Sequence, residues 1–343
     1  MYILVTGGAG YIGSHTTLLL LQRGFNVIVF DNLSNSSYES IRRIEKLTNK
    51  EMIFIEGDVS NREDLEKVFT SYAIETVIHF AGLKSVNESI EKPLYYYHNN
   101  SMGTIILCEV MEQYNCKSLI FSSSATVYGN PSSLPIEETF PLHPTNPYGK
   151  SKLMVEEILK DLVTSDNTWR IAVLRYFNPV GAHISGEIGE DPHGTPNNLM
   201  PFIAQTAMGK QKKLYIFGND YPTPDGTGVR DYIHVMDLAE GHLAALDKIE
   251  SLNGLSIVNI GTGRGYSVFE LLETFEKVSK KSIPYEVVAR RSGDIAACYT
   301  DVSYAKKVLH WEAKRTLKEM CEDTWRWQQK NPYGYKKPRG KEL

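Results

Sequence analysis

"VTGGAGYIG", Val5 to Gly13, follows a short apolar run, "YILVT" from Tyr2 to Thr6, and leads into a helical pattern from Tyr11 to Arg23. Gly8, Gly10 and Gly13 fit G-x-G-x-x-G, and Gly7, Gly10 and Gly13 fit the spaced variant G-x-x-G-x-x-G. Glycines let the backbone turn sharply between strand and helix and approach a pyrophosphate, which then sits at the positive end of the helix. A glycine turn alone is often only a turn. Here an acid also closes the second apolar run, "NVIVFD": Asp31 stands 18 residues after Gly13. A carboxylate there binds the adenosine ribose hydroxyls of NAD and repels the 2'-phosphate of NADP. Its plain alternative is a strand-end cap.

Strand and helix patterns alternate outward from this turn. "MIFIEGD" (residues 52–58) is a third strand, and Ser60 with Glu63 predicts a capping box ahead of a helix with Leu65, Val68, Phe69 and Tyr72 on one face. "TVIHFAG" (76–82) is a fourth strand. A long helix is predicted from Pro93 to Tyr114, then the strand "SLIFSSS" (118–124), a helix opening near Tyr148 and the strand "IAVLRYF" (171–177). Such alternation predicts an α/β fold, a doubly wound parallel sheet of Rossmann type. After Gly181 the character changes. Residues 181–228 are rich in Gly, Pro, Asn and Asp and read as loop-built, whereas "DYIHVMDLAEGHLAAL" (231–246) and "SIVNIG" (256–261) are regular again. The chain therefore divides into a dinucleotide-binding domain, residues 1–180, and a smaller mixed α/β substrate domain, 181–343, with about 230–260 returning to the first.

Composition narrows the function classes. A net charge of −4 gives no general attraction to nucleic acid or an acidic membrane, so anionic ligands must be held by local groups. Cys108, Cys116, Cys298 and Cys321 show no metal-ligand spacing, and a chain this long needs no disulfide staples. Together with an amino end that runs straight into a strand and the lack of an apolar spanning run, this predicts a cytoplasmic protein without a metal.

"YGKSK" carries the chemistry. Tyr148 and Lys152 are four residues apart, one helical turn, so on a helix both point the same way. A phenol has a pKa of about 10, and acting as a base near pH 7 takes a fall of roughly three units, about 4 kcal/mol. The lysine charge and an oxidised nicotinamide ring would together supply it; without a cofactor the pair is surface decoration. The serines of "FSSSATVYG", above all Ser124, are placed to hydrogen-bond a substrate hydroxyl, while Ser122 and Ser123 read equally as a turn rich in small polar residues. Asp58 would reach the adenine or serve as a helix-start acid. Lys84 and Asn99 are further cofactor candidates at element ends, each also readable as structural.

The glycine turn, Asp31, Ser124, Tyr148 and Lys152 resemble the extended short-chain dehydrogenase/reductases. "VIHFAGLKSV", "PYGKSKLMVE", "LRYFNPVGAH", "PNNLMPFIAQ", "IFGNDYPTPDGTGVRDYIHVMDLA" and "DTWRWQ" resemble the UDP-glucose 4-epimerase family within them, over essentially the whole chain. The resemblance implies a tightly held NAD and a UDP-hexose substrate inverted at C4 through a 4-keto sugar. It implies Tyr148 as the base, Ser124 beside it, and Lys152 on the nicotinamide ribose, lowering the tyrosine pKa. It adds Tyr11, Ile12, Asn32, Val59, Phe80, Ala81, Gly82 and Phe177 as cofactor contacts. For the substrate it implies Arg230 and Arg291 on the diphosphate, Asp294 on the uridine ribose, and contacts from Asn178, Asn198, Leu199, Tyr215, Ile216 and Phe217. Cys298 would stand at the C2 side of the sugar, where a small residue leaves room for an N-acetyl group; the alternatives are that Tyr299 fills the gap or that Cys298 only packs. The family forms homodimers through the helices near 93–114 and 148, and the aromatics of "LYYYHNN" suit an interface as well as a core. Two rival activities are disfavoured. A nucleotide-sugar dehydratase or decarboxylase needs an acid where Ala125 and Thr126 stand, and an NAD-binding sensor without catalysis needs neither Tyr148 nor Lys152.

Overall fold

The computed structural model describes residues 1–336, with 193, 195, 197, 253 and 292 left out. Its central sheet has seven strands in the order Gly254–Ile260, Arg170–Tyr176, Ser118–Ser124, Ile74–His79, Tyr2–Thr6, Val27–Asp31, Ile53–Glu56. Every neighbouring pair is parallel. The strands read as continuous apolar runs because both faces are covered. Ile3, Val5 and Val29 point into one buried cluster, and Leu4, Ile28 and Phe30 into another on the opposite face. The strand order reverses beside Tyr2–Thr6, so the crevice at its carboxyl end, next to Ile74–His79, is a topological switch point.

The seventh strand arrives late in the chain. Gly254–Ile260 pairs in unbroken register with Arg170–Tyr176, and the helix before it, Val235–Lys248, lies along helix Tyr11–Gln22 with an Arg23–Asp247 ion pair of 2.8 Å at its end. Residues 181–228 are more ordered than their composition predicts. They contain helix Leu199–Ala207 and strand Leu214–Phe217, which pairs with Tyr285–Val288. A third cluster, with Ile203, Ile216, Phe275 and Met320, makes these short elements hold together by tertiary packing.

Two local expectations are corrected. Asn61, not Ser60, caps helix Arg62–Ser71: its side chain accepts the Glu63 amide at 3.1 Å, while the Ser60 hydroxyl turns back to Asp58 at 2.6 Å. The stretch 93–114 is not one regular helix. It runs as Pro93–Tyr96, a wider π turn over Tyr97–Met102, and helix Gly103–Gln113. The wide turn aims Asn100 inward, where its side chain accepts from Leu83 N at 2.7 Å and donates to Leu83 O at 3.0 Å and Ser151 Oγ at 3.1 Å.

Candidate active site

Gly7 adopts φ +69°, and a Cβ there would sit 2.6 Å from Ala81 N; one on Gly13 would sit 2.3 Å from Gly7 O. These two glycines therefore serve the close packing of turn, helix and neighbouring strand. Gly10 is different. An added Cβ would meet only Gly7 O, at 3.2 Å, and no side chain caps the helix that Gly10 opens. The positive end of a 12-residue helix thus faces open space without an acid in its first turn, which is what a diphosphate needs. Tyr11 donates to Gly181 O at 2.7 Å, Ile12 packs against the core, and Lys84 lies 5.8 Å from the Tyr11 ring while pairing with Glu190 at 2.9 Å.

Asp31 ends its strand nearly buried. It accepts from Ala9 N at 3.0 Å, Leu33 N at 2.9 Å and the Ser36 hydroxyl at 2.8 Å, while burial raises its pKa. It thus ties down the glycine turn, the strand-end role, and has one acceptor direction left. Asn32 donates to Asp58 at 2.8 Å. Burial pushes Asp58 up, but hydrogen bonds from Ser60 and Asn32 outweigh it and hold the carboxyl below its usual value. Val59 is a core residue packed beside Gly103, and Asn99 lies half-buried in the π turn. Phe80, Ala81 and Gly82 form the loop after strand Ile74–His79; Gly82 lies near Asn100 and Lys152.

Tyr148 and Lys152 occupy the first turns of helix Pro147–Ser165, whose Asn146 cap accepts the Gly149 amide at 2.9 Å. Ser124 ends strand Ser118–Ser124. Its hydroxyl accepts from Thr126 N at 3.2 Å and Thr126 Oγ1 at 3.0 Å. The expected charge relation between tyrosine and lysine differs in the chain by itself. Burial raises the Tyr148 phenol, and the group that lowers it is Ser124. Lys152 donates to Ser122 O at 2.8 Å and lies 5.0 Å from the Phe121 ring; burial lowers it to about 8, against an opposing pull from Glu156. One-turn spacing put both groups on one side, but a long flexible lysine finds the nearest backbone acceptor.

The substrate candidates converge. A cavity of about 410 Å³ is lined by Asn178, Asn198, Leu199, Tyr215, Ile216, Phe217, Arg230, Arg291 and Asp294 together. Tyr215 and Phe217 are exposed, 43% and 37%, while Ile216 between them is core, so only its backbone is open to a ligand. Arg291 lies 4.5 Å over the Phe217 ring and pairs with Asp294 at 3.0 Å. The Arg230 guanidinium is half-buried and turned onto Val229 O at 2.9 Å. The cavity reaches the sheet through one strand. Tyr176 stands in register beside Ser124, and two residues later Asn178 lines the cavity wall. Cys298, paired in register with Arg230, does not line the cavity. It is buried among Val127, Tyr128, Ile136 and Phe177, and its thiol is pushed up to about 11 by burial. Tyr299 takes the opposite side, against Gly265.

Sequence reading missed Asn87, which lines the cavity, Asn100, and Glu190, whose carboxylate holds both Lys84 and the Asn198 amide, the latter at 3.1 Å. It also missed Glu156, buried behind the serines. Nothing in the residue types marked these; each matters through a partner far off in sequence.

Comparison with known proteins gives the family. The family described as GDP-mannose 4,6 dehydratase matches residues 4–324. The UDP-glucose 4-epimerase of Bacillus subtilis is 61% identical over 98% of this chain and 99% of its own, and that of Homo sapiens 55% over 97% and 98%. Among solved structures, UDP-glucose 4-epimerase from Bifidobacterium longum in complex with NAD+ and UDP superimposes with a TM-score of 0.94 at 52% identity, covering 97% of this chain and 100% of that one. With such identity over nearly the whole length, the chain belongs to the UDP-glucose 4-epimerase family.

Proposed function

We propose that this protein interconverts UDP-galactose and UDP-glucose by inverting C4 through a 4-keto sugar, with NAD as its cofactor. The observation that carries the reading is that Ser124, the group that lowers the Tyr148 phenol, stands one strand away from a cavity that gathers Arg230, Arg291, Asn178 and Asn198. The uncapped helix at Gly10 fits the cofactor diphosphate, Asp31 the adenosine ribose, and Lys84 and Lys152 supply cations at either end of the crevice. Bound NAD would supply the acceptor and donor of the C4 hydride, and the positive ring charge that favours a phenolate. Tyr148 takes the proton of the sugar O4 and later returns it. Ser124 hydrogen-bonds the same oxygen and so shares the proton's path. Arg230 and Arg291 hold the diphosphate by charge-assisted hydrogen bonds, leaving the sugar free to turn over. Residues 1–180, with about 230–260, form the cofactor unit and the remainder of 181–343 the UDP-sugar unit.

Elimination, the dehydratase reaction, lacks its acid. Thr126 bonds Ser124, and Ala125 carries no polar group. A sugar range extending to UDP-N-acetylglucosamine and UDP-N-acetylgalactosamine is supported by the small Cys298, which packs on Phe177 outside the cavity lining and so leaves free the space toward which a tyrosine there would press, and by Tyr299, which packs away from it. A homodimer is supported by Leu94, 81% exposed, and Tyr95, 49%, with Met102 and Met154 also exposed, on the two helices expected at the interface. Tyr96 in the same run is core. Four unpaired, buried cysteines suit a reducing, cytoplasmic compartment, and among the described residues no helix is long and apolar enough to cross a membrane. Incubation of the purified protein with UDP-galactose should yield UDP-glucose without added cofactor, and denaturation should release NAD. Failure to convert the sugar sinks the activity; release of NADP sinks the role of Asp31.

A further inference from the structure

Behind the serine strand lies a buried charge cluster that the proposed chemistry does not use. Glu156 and Arg175 are each only 2% exposed in their side chains. Arg175 donates to both Glu156 oxygens, from Nε at 3.1 and 3.2 Å and from Nη2 at 2.6 Å. The Ser123 hydroxyl donates to the same carboxylate. Arg175 is further held by the Tyr128 hydroxyl at 2.8 Å and Glu138 O at 3.1 Å. The three partners come from three elements. Ser123 and Arg175 face each other in register on neighbouring strands, and Glu156 sits on the helix Pro147–Ser165, one turn beyond Lys152.

We infer that Glu156 is a positioning residue: its carboxylate clamps the strand end that carries Ser124 to the helix that carries Tyr148 and Lys152, and it is the counter-charge shared by Arg175, which it bonds, and Lys152, one helical turn away. This rests on the epimerase reading of those three residues. The charge argument follows from what surrounds Lys152. From the strands comes His79, kept neutral by burial and then by Lys152 itself, while the permanently charged Arg175 lies on Glu156, the residue one helical turn beyond Lys152. From its own helix come Tyr148, protonated, and Glu156. The loop and π turn opposite bring Gly82 and the neutral Asn100. Among the described residues, Glu156 is thus the carboxylate that the two buried cations have in common. Without it, arginine cannot release a proton, so lysine does.

The test is a titration of ¹³Cε-labelled lysines by NMR in the protein as purified, with the Lys152 signal assigned by its loss in Lys152→Arg. Glu156→Gln lowers the Lys152 midpoint by about one pH unit or more, and the alkaline limb of kcat moves down with it while KM changes by less than about threefold. Arg175→Met, which leaves Glu156 with Lys152 as its only buried cation, raises the midpoint instead. The double variant Glu156→Gln/Arg175→Met brings it back toward the natural value, a rescue that a merely packing role would not produce. An unmoved midpoint in either single variant overturns the inference, as does a double variant that titrates lower than Glu156→Gln. Should Glu156→Gln fail to fold, the upward shift in Arg175→Met decides. The midpoint does not depend on turnover, so an inactive natural protein would count against the proposed function and an unmoved midpoint in an active one against Glu156.

Discussion

The sheet end and the cavity are built by opposite rules. At the sheet end, polar groups are buried and already paired: Lys152 with Ser122, Asp31 with Ala9 and Ser36, Glu156 with Arg175. At the cavity, aromatic and cationic groups are exposed and paired loosely with one another, Arg291 over Phe217 and against Asp294. A site that moves protons and hydride needs groups that cost nothing to orient at the moment of reaction. A site that grips a flexible diphosphate needs cations able to exchange a half-solvated partner for a better one, since such exposed pairs are worth at most about 1 kcal/mol. The first region should therefore govern kcat and the second KM.

The largest expected effect breaks the first region alone. Tyr148→Phe removes one hydroxyl and should lower kcat by roughly 10² to 10⁴, the usual worth of general acid–base catalysis, with fold and cofactor content intact. Near-normal turnover would remove Tyr148 from its role. Next, Arg230→Leu deletes a charge-assisted contact of about 1.5–3 kcal/mol and should raise KM for UDP-galactose about 10- to 100-fold while NAD content stays unchanged. A fall in kcat with KM unmoved would erase the distinction between the regions.

A third substitution sharpens the boundary. Cys298 lies between the two, in register with Arg230 and packed on Phe177 and Val127. Cys298→Tyr should cut turnover of the N-acetylated pair about tenfold or more while UDP-galactose is still converted, at an overpacking cost of about 1–3 kcal/mol in stability. A natural protein that leaves UDP-N-acetylglucosamine untouched contradicts the assignment at once.

The last expected effect concerns stability against acid and not turnover. Burial holds His15 and His79 at about 3 and His242 at about 4, below the ordinary 6.5. Below pH 6.5 the unfolded chain binds protons there that the folded chain refuses. Stability from these groups is therefore complete above that pH and is lost as the pH falls toward the folded values, by up to about 1.4 kcal/mol per pH unit for each histidine. His79 lies in the parallel sheet and His242 packs on Phe80 and Tyr176 at its end, so hydrogen exchange at pH 5 should show its strands loosening before Leu214–Phe217 and its partner. Loss of protection in the reverse order would refute the claim.

Much of this was legible in the order of residues, for local reasons. Apolar runs bounded by glycines and acids determined the parallel sheet, because a strand covered on both faces has to be apolar at every position. The glycine turn, Asp31, and the one-turn spacing of Tyr148 and Lys152 are likewise short-range patterns, and motif resemblance extended them to the cavity residues. Tertiary structure alone decided the rest. It turned Lys152 from the phenol to Ser122 O, tied Asp31 to the glycine turn, opened the π turn that aims Asn100, and set Glu156 between an arginine 19 residues on and a serine 33 residues back. Each of these depends on which acceptor or charge is nearest in space. A buried group takes the partner the packing brings to it, and that partner leaves no periodic trace in the sequence.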